Sequence, residues 1–144
     1  MSLDELNLTE SKLVLTKLQL DEMASHCLHA LPYEGCGLIV GDLESGKVKR
    51  IVATTNVAQS AKLYSVDPLA HLKADRAAEA EGYSVMGVFH SHTHTDPYPS
   101  PTDVVQAPDP SWHYVLLSLR DEVVSTRSYR IVAGEIVEES IEVT

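Results

Sequence analysis

From Leu13 onward the apolar positions follow two alternating rhythms. LVLTK, Leu13 to Lys17, reads as a short strand, and Leu20, Met23, Ala24, Cys27, Leu28 and Leu31 then recur at helical spacing until Pro32 stops the turn. The run LIV that follows Gly37, the turn ESGK and the β-branched VKRIVAT predict a hairpin. Asp67 before Pro68 supplies an N-cap with proline at the first helical position, and Gly82 a stop, so Pro68 to Glu81 is a second, alanine-rich helix. SVMGVF, Ser84 to Phe89, is continuously apolar, as in a strand covered on both faces, and leads directly into His90. PTDVVQA predicts a short helix, HYVLLSL a strand, and the segments around TRSYRIV and EIVEESIEV the closing strands. The order β-α-β-β-α-β-α-β-β-β predicts the α/β class: a single-domain α/β sandwich with a mixed sheet. Residues 1–11 carry no period and are expected to form a disordered extension, which leaves 12–144 as the domain.

Composition narrows the function classes. A length of 144 residues and a hydrophobic fraction of 44% fit one globular domain. No apolar run approaches the roughly 20 residues needed to cross a bilayer, and the acidic, polar start MSLDELNLTESK is unlike a signal peptide, so a cytoplasmic setting with no membrane partner is expected. A net charge of −10 argues against a nucleic-acid partner, because neutralising phosphates requires a basic surface. Cys27 lies on the helical stripe, so Cys27 and Cys36 are read as two buried thiols rather than a disulfide.

The chemistry is concentrated in GVFHSHTHTDPYPSPTD, Gly87 to Asp103, where His90, His92 and His94 occupy every second position. In an extended backbone, residues two apart project to the same side, so His90 and His92 can reach one ion. An H-x-H pair is equally a feature of polar loops, and a metal site needs a third ligand. Asp103 is the candidate: two imidazoles and a carboxylate form a three-ligand zinc site with an open position, the arrangement of catalytic zinc. The alternative is that Thr102 or Asp103 caps the short helix that starts there. Glu34, between the end of the first helix and the strand after Gly37, is placed to be either a cleft carboxylate acting as general base or an exposed loop residue.

EGCGLIVG, Glu34 to Gly41, together with HSHTHTDPYPSPTD, His90 to Asp103, resembles the JAMM or MPN-plus metalloproteases. Their signature is a glutamate upstream of H-[ST]-H, then a serine and an aspartate at fixed spacing. Ser100 stands eight residues after His92 and Asp103 eleven, which is the family's spacing. The resemblance implies a cytidine-deaminase-like α/β/α layered fold, one catalytic zinc on His90, His92 and Asp103, Glu34 as general base and proton shuttle, and Ser100 as an oxyanion donor. Zinc in that role lowers the pKa of water towards about 7 and polarises the scissile carbonyl. Most members have proline after the second histidine where this chain has Thr93. His94 shares the same alternation and competes for the place of a ligand, and Asp96 has no assigned part.

The length, the E-x-C-G box and YPSPTD followed by HYVLLSLRD look most like the bacterial Mec-type branch, whose members act on small ubiquitin-like sulfur carriers. The resemblance therefore implies a zinc-dependent metallopeptidase that cleaves a peptide or isopeptide bond at a carrier's C-terminus, for example to release a C-terminal cysteine. VATTNVAQSAKLYSVDP, Val52 to Pro68, is the stretch expected to line the groove for the carrier tail, with a plain connection between strand and helix as the alternative. A non-catalytic MPN-type scaffold is the competing function. A nucleobase deaminase is set aside because H-x-E and P-C-x-x-C are both absent. A homodimer is compatible with the sequence, which specifies neither the oligomeric state nor the carrier.

Overall fold

Thr16 and Gln19 set the first boundary along the chain. In the computed structural model, which describes residues 11–144, strand β1 covers Lys12–Leu15 and helix α1 covers Lys17–Ala30. The Thr16 hydroxyl accepts from the Gln19 N–H at 3.1 Å, and the Gln19 side chain accepts from the Thr16 N–H at 2.9 Å. This capping box satisfies two donors that a helix start otherwise leaves orphaned, so Lys17 opens the helix although the apolar pattern alone puts it in the strand. The extension expected over residues 1–11 falls outside the described residues except for Ser11, whose hydroxyl donates to the Glu139 carboxylate and accepts from Arg130.

The expected hairpin forms from β2, Cys36–Asp42, and β3, Lys47–Thr54. Helix α2, Pro68–Ala80, starts where the Asp67 carboxylate accepts from the Leu69 N–H at 3.1 Å, and the chain leaves it through Gly82 at φ +80°, a left-handed turn that costs glycine little. Strand β4, Ser84–His92, runs past Phe89 because pairing continues on both sides, with His90 opposite Cys36 and His92 opposite Ser118. Helix α3, Pro101–Val105, and strands β5, His113–Ser118, β6, Ser125–Val132, and β7, Glu135–Val143, complete the order read from the sequence.

All seven strands join one mixed sheet in the order β1-β3-β2-β4-β5-β6-β7, and it closes on itself because β1 lies parallel to both β3 and β7. The β4 and β5 strands are also parallel, and the other neighbours are antiparallel. Side-chain alternation divides the core in two. Ile39, Met86, Phe89, Val115 and Leu117 pack with Met23 and Cys27 of α1, whereas Leu38, Val40, Val88 and Tyr114 pack with Ala74 and Ala78 of α2. The central strands are therefore buried on both faces, which explains their unbroken apolar runs.

Gly37 is required by this packing: a Cβ there would lie 2.4 Å from the Phe89 ring and 2.5 Å from the Val52 carbonyl oxygen. Cys27 and Cys36 are buried and free, as the helical stripe implied. Among the described residues no helix is long and apolar enough to cross a membrane.

Candidate active site

His90 and His92 occupy the last turn of alternation of β4, project to one side of it and are buried, with ring centroids 5.2 Å apart. The loop that follows returns through Pro99 and ends at Ser100, the N-cap of α3. The Ser100 hydroxyl accepts from the Asp103 N–H at 3.1 Å, and Asp103 Oδ2 accepts from the Ser100 N–H at 2.9 Å. The three-residue interval between Ser100 and Asp103 is thus that of a capping box. The sequence left capping and ligation as alternatives for Asp103; the structure shows its carboxylate closing the capping box and facing the two histidines at once, and the cap itself is Ser100 rather than Thr102 or Asp103.

That same Oδ2 lies 2.9 Å from His92 Nε2 and 3.2 Å from His90 Nε2. The three side chains form a buried group whose ligand atoms all fall within 4.8 Å of one another. His90 Nε2 is buried without a well-aligned hydrogen-bond partner among the described residues. Two imidazole nitrogens and a carboxylate oxygen converging in this way, one nitrogen unpaired, are a donor set that fits zinc. His94 is exposed and outside the group. Thr93, at the position where proline is usual, is buried, and its hydroxyl donates to the Ala61 carbonyl at 3.3 Å.

Charge balance in the group follows from burial and proximity. Burial alone would push the Asp103 carboxyl up, but the adjacent His90 imidazole and the hydrogen bonds from His92 and the Ser100 N–H hold it well below the usual carboxylate range. Burial lowers the His90 imidazole, whereas His92, also opposed by burial, is raised by Asp103 and by the Asp96 carbonyl.

Glu34 is buried, with Oε1 lacking any partner among the described residues. Its backbone is gripped from both sides by the stretch after β3: the Glu34 N–H donates to the Ser60 carbonyl at 2.8 Å, and the Asn56 amide donates to the Glu34 carbonyl at 2.9 Å. Burial pushes the Glu34 carboxyl up to about 8, with His92 pulling it down and Asp103 pushing it up. Glu34, Asn56, Thr55 and Gln59 also line a cleft of about 390 Å³ together with His26 and Tyr33 of the first helix and its exit. Part of the stretch Val52 to Pro68 therefore does border a groove, and Tyr64 from the same stretch stacks on His90 with centroids 4.1 Å apart. Asn56 and Tyr64 lie in an aperiodic segment, and nothing in its pattern singles them out.

With this geometry in place the comparisons with known proteins are direct. The family described as prokaryotic homologs of the JAB domain matches residues 16–132. The chain belongs to that family. This bears out the family and the fold expected from the Glu34 and His90–Asp103 motifs. The CysO-cysteine peptidase of Mycobacterium tuberculosis is 39% identical, over 91% of this chain and 90% of that one. A probable TtuB-protein conjugate cleaving protease of Thermus thermophilus is 42% identical, over 61% of this chain and 58% of that one. The solution structure of a Desulfitobacterium hafniense protein is 35% identical, covers 92% of each chain and superimposes with a TM-score of 0.84.

The raised Glu34 carboxyl has a consequence for stability. Between its ordinary value of 4.5 and about 8, folded Glu34 holds a proton that the unfolded chain has released, so stability falls as pH climbs through this window. In metal-free protein Glu34→Gln removes this penalty. The variant is expected to gain roughly 1–3 kcal/mol over the parent at pH 8.5 and almost nothing at pH 4.5, read by urea denaturation at both values. A difference that does not grow with pH contradicts the assignment.

Proposed function

We propose that the chain is a cytoplasmic zinc-dependent metallopeptidase that hydrolyses a peptide or isopeptide bond at the C-terminus of a ubiquitin-like sulfur-carrier protein. The observation that carries this reading is the convergence of His90, His92 and Asp103 in one buried group, with a buried, proton-seeking Glu34 close enough for its carboxyl to respond to His92 and Asp103. The names of the Mycobacterium and Thermus relatives support the substrate class, one being a CysO-cysteine peptidase and the other a probable protease of TtuB-protein conjugates.

His90, His92 and Asp103 would hold the zinc. When bound, the ion supplies a Lewis acid that polarises the scissile carbonyl and acidifies a water molecule. Glu34 takes the proton from the attacking water and hands it to the leaving amine, a task suited to a carboxylate whose pKa burial has brought near the working pH. Ser100 Oγ accepts from the Asp103 N–H and so still has its own proton to donate to the oxyanion of the tetrahedral intermediate. The cleft beside Glu34 admits an extended tail, and glycines in that tail allow close backbone approach.

The test uses zinc-loaded protein and a sulfur-carrier protein extended by one C-terminal cysteine. Mass spectrometry is expected to show loss of that residue, and a parallel carrier–lysine conjugate reports isopeptide cleavage. Failure to cleave any carrier conjugate with zinc bound favours the non-catalytic scaffold.

A further inference from the structure

The segment that follows β4 has no part in the reading above, yet it carries the carbonyl that orients a candidate ligand. His92 Nδ1 lies 2.8 Å from the Asp96 carbonyl oxygen. A carbonyl can only accept, so Nδ1 carries a proton; the proton on Nε2, which faces the Asp103 carboxylate at 2.9 Å, is the one that a metal would replace, while Nδ1–H stays. His94, Thr95 and Asp96 are exposed, so packing does not hold this carbonyl in place.

Hydrogen bonds from the neighbouring strands do. Ser118, at the end of β5, donates from its hydroxyl to the Thr95 carbonyl at 2.6 Å, and the Tyr129 phenol of β6 donates to the Pro97 carbonyl. These two bonds grip the peptide groups on either side of the one that carries the Asp96 carbonyl. Both donors are rooted in the core, Ser118 at 4% exposure and Tyr129 at 1%. The backbone adds two bonds, from the Leu119 N–H to the His92 carbonyl at 3.0 Å and from the Tyr98 N–H to the Asp96 carbonyl at 2.8 Å. The Arg120–Asp96 ion pair is also present, but both side chains are about half exposed or more, and such pairs contribute little.

We infer that Ser118 and Tyr129 are positioning residues for His92: by holding the Thr95 and Pro97 carbonyls they aim the Asp96 carbonyl at Nδ1 and fix the ring for metal binding. The inference rests on the reading of His92 as a ligand. It gives Asp96 a role through its backbone.

The test measures zinc affinity of the full chain by competition with a chromophoric chelator. Partners that orient a ligating histidine are worth about 10–100-fold in metal affinity. Ser118→Ala and Tyr129→Phe are each expected to weaken binding by about tenfold and the double variant by up to about a hundredfold, with Ser118→Thr restoring it. Arg120→Ala is expected to stay within about twofold. In metal-free protein, ¹H–¹⁵N spectra should show a hydrogen-bonded Nδ1–H on His92 in the parent that is weakened or lost in the double variant, while Nε2, which faces the Asp103 carboxylate at 2.9 Å, keeps its own proton in both.

A double variant that binds zinc as tightly as the parent overturns the inference, as does an Arg120→Ala loss equal to that of the double variant. His92→Ala separates the two levels. If it loses zinc while the double variant does not, the ligand reading stands and the inference alone fails. If it keeps zinc, both fail.

Discussion

Glu34→Gln is expected to keep one zinc per chain and to lose turnover by roughly a hundredfold to ten-thousandfold, the range that a positioned general base contributes. The amide occupies the same volume as the carboxylate and accepts no proton. The surroundings leave little room for it to shift. The Glu34 backbone is tied to Ser60 and Asn56, and the next residue is tied to β4, where the Gly35 N–H donates to Ser91 Oγ at 2.8 Å and the Ser91 N–H donates to the Gly35 carbonyl at 3.0 Å. A loss of activity therefore reports lost proton transfer and not a displaced loop. Elemental analysis gives the zinc content, and mass spectrometry at saturating carrier gives kcat. Full activity in the variant removes Glu34 from the mechanism, and loss of zinc along with activity makes it part of the metal centre instead.

The elements legible in the sequence were those whose burial imposes a period. Helix α1 shows its face through Met23 and Cys27, and β2, β4 and β5 show as unbroken apolar runs because α1 and α2 cover both sides of the sheet. The grouping of the candidate residues His90, His92 and Asp103 could be read because their spacing has a local cause. Two residues along a strand bring His90 and His92 to one side, and three residues along a capping box bring Asp103 Oδ2 to the Ser100 N–H.

What could not be read depends on partners far away in the chain. Lys12–Leu15 closes the sheet by pairing with β7, more than a hundred residues on, and no local pattern encodes that. Tyr64 reaches His90 from an aperiodic loop, and Thr93 meets Ala61 in that same loop. The histidine alternation also misleads beyond His92. The strand ends there, so His94 no longer shares its side, and Asp96 acts through its carbonyl, which carries no sequence signal.

Asp103→Asn and Asp103→Ala should separate the two duties of that carboxylate. Asparagine retains an oxygen that can accept from the Ser100 N–H, so α3 keeps its start, but a neutral amide is a poor ligand for a hard-to-borderline cation. Zinc affinity is expected to fall by more than the roughly hundredfold that loss of an orienting partner costs, and turnover with it. Alanine removes both the ligating oxygen and the acceptor for the Ser100 N–H, and losing that half of the capping box adds about 1 kcal/mol of destabilisation that the asparagine variant is spared. In both variants His90 and His92 also lose the charge that offsets their burial, so their imidazoles are held neutral to lower pH than in the parent. Chelator competition, urea denaturation of the metal-free proteins and the carrier cleavage assay read these effects separately. An Asp103→Asn protein that still binds one zinc at parental affinity would show that the buried group is an ordinary ion-paired cap at a helix start and not a metal centre.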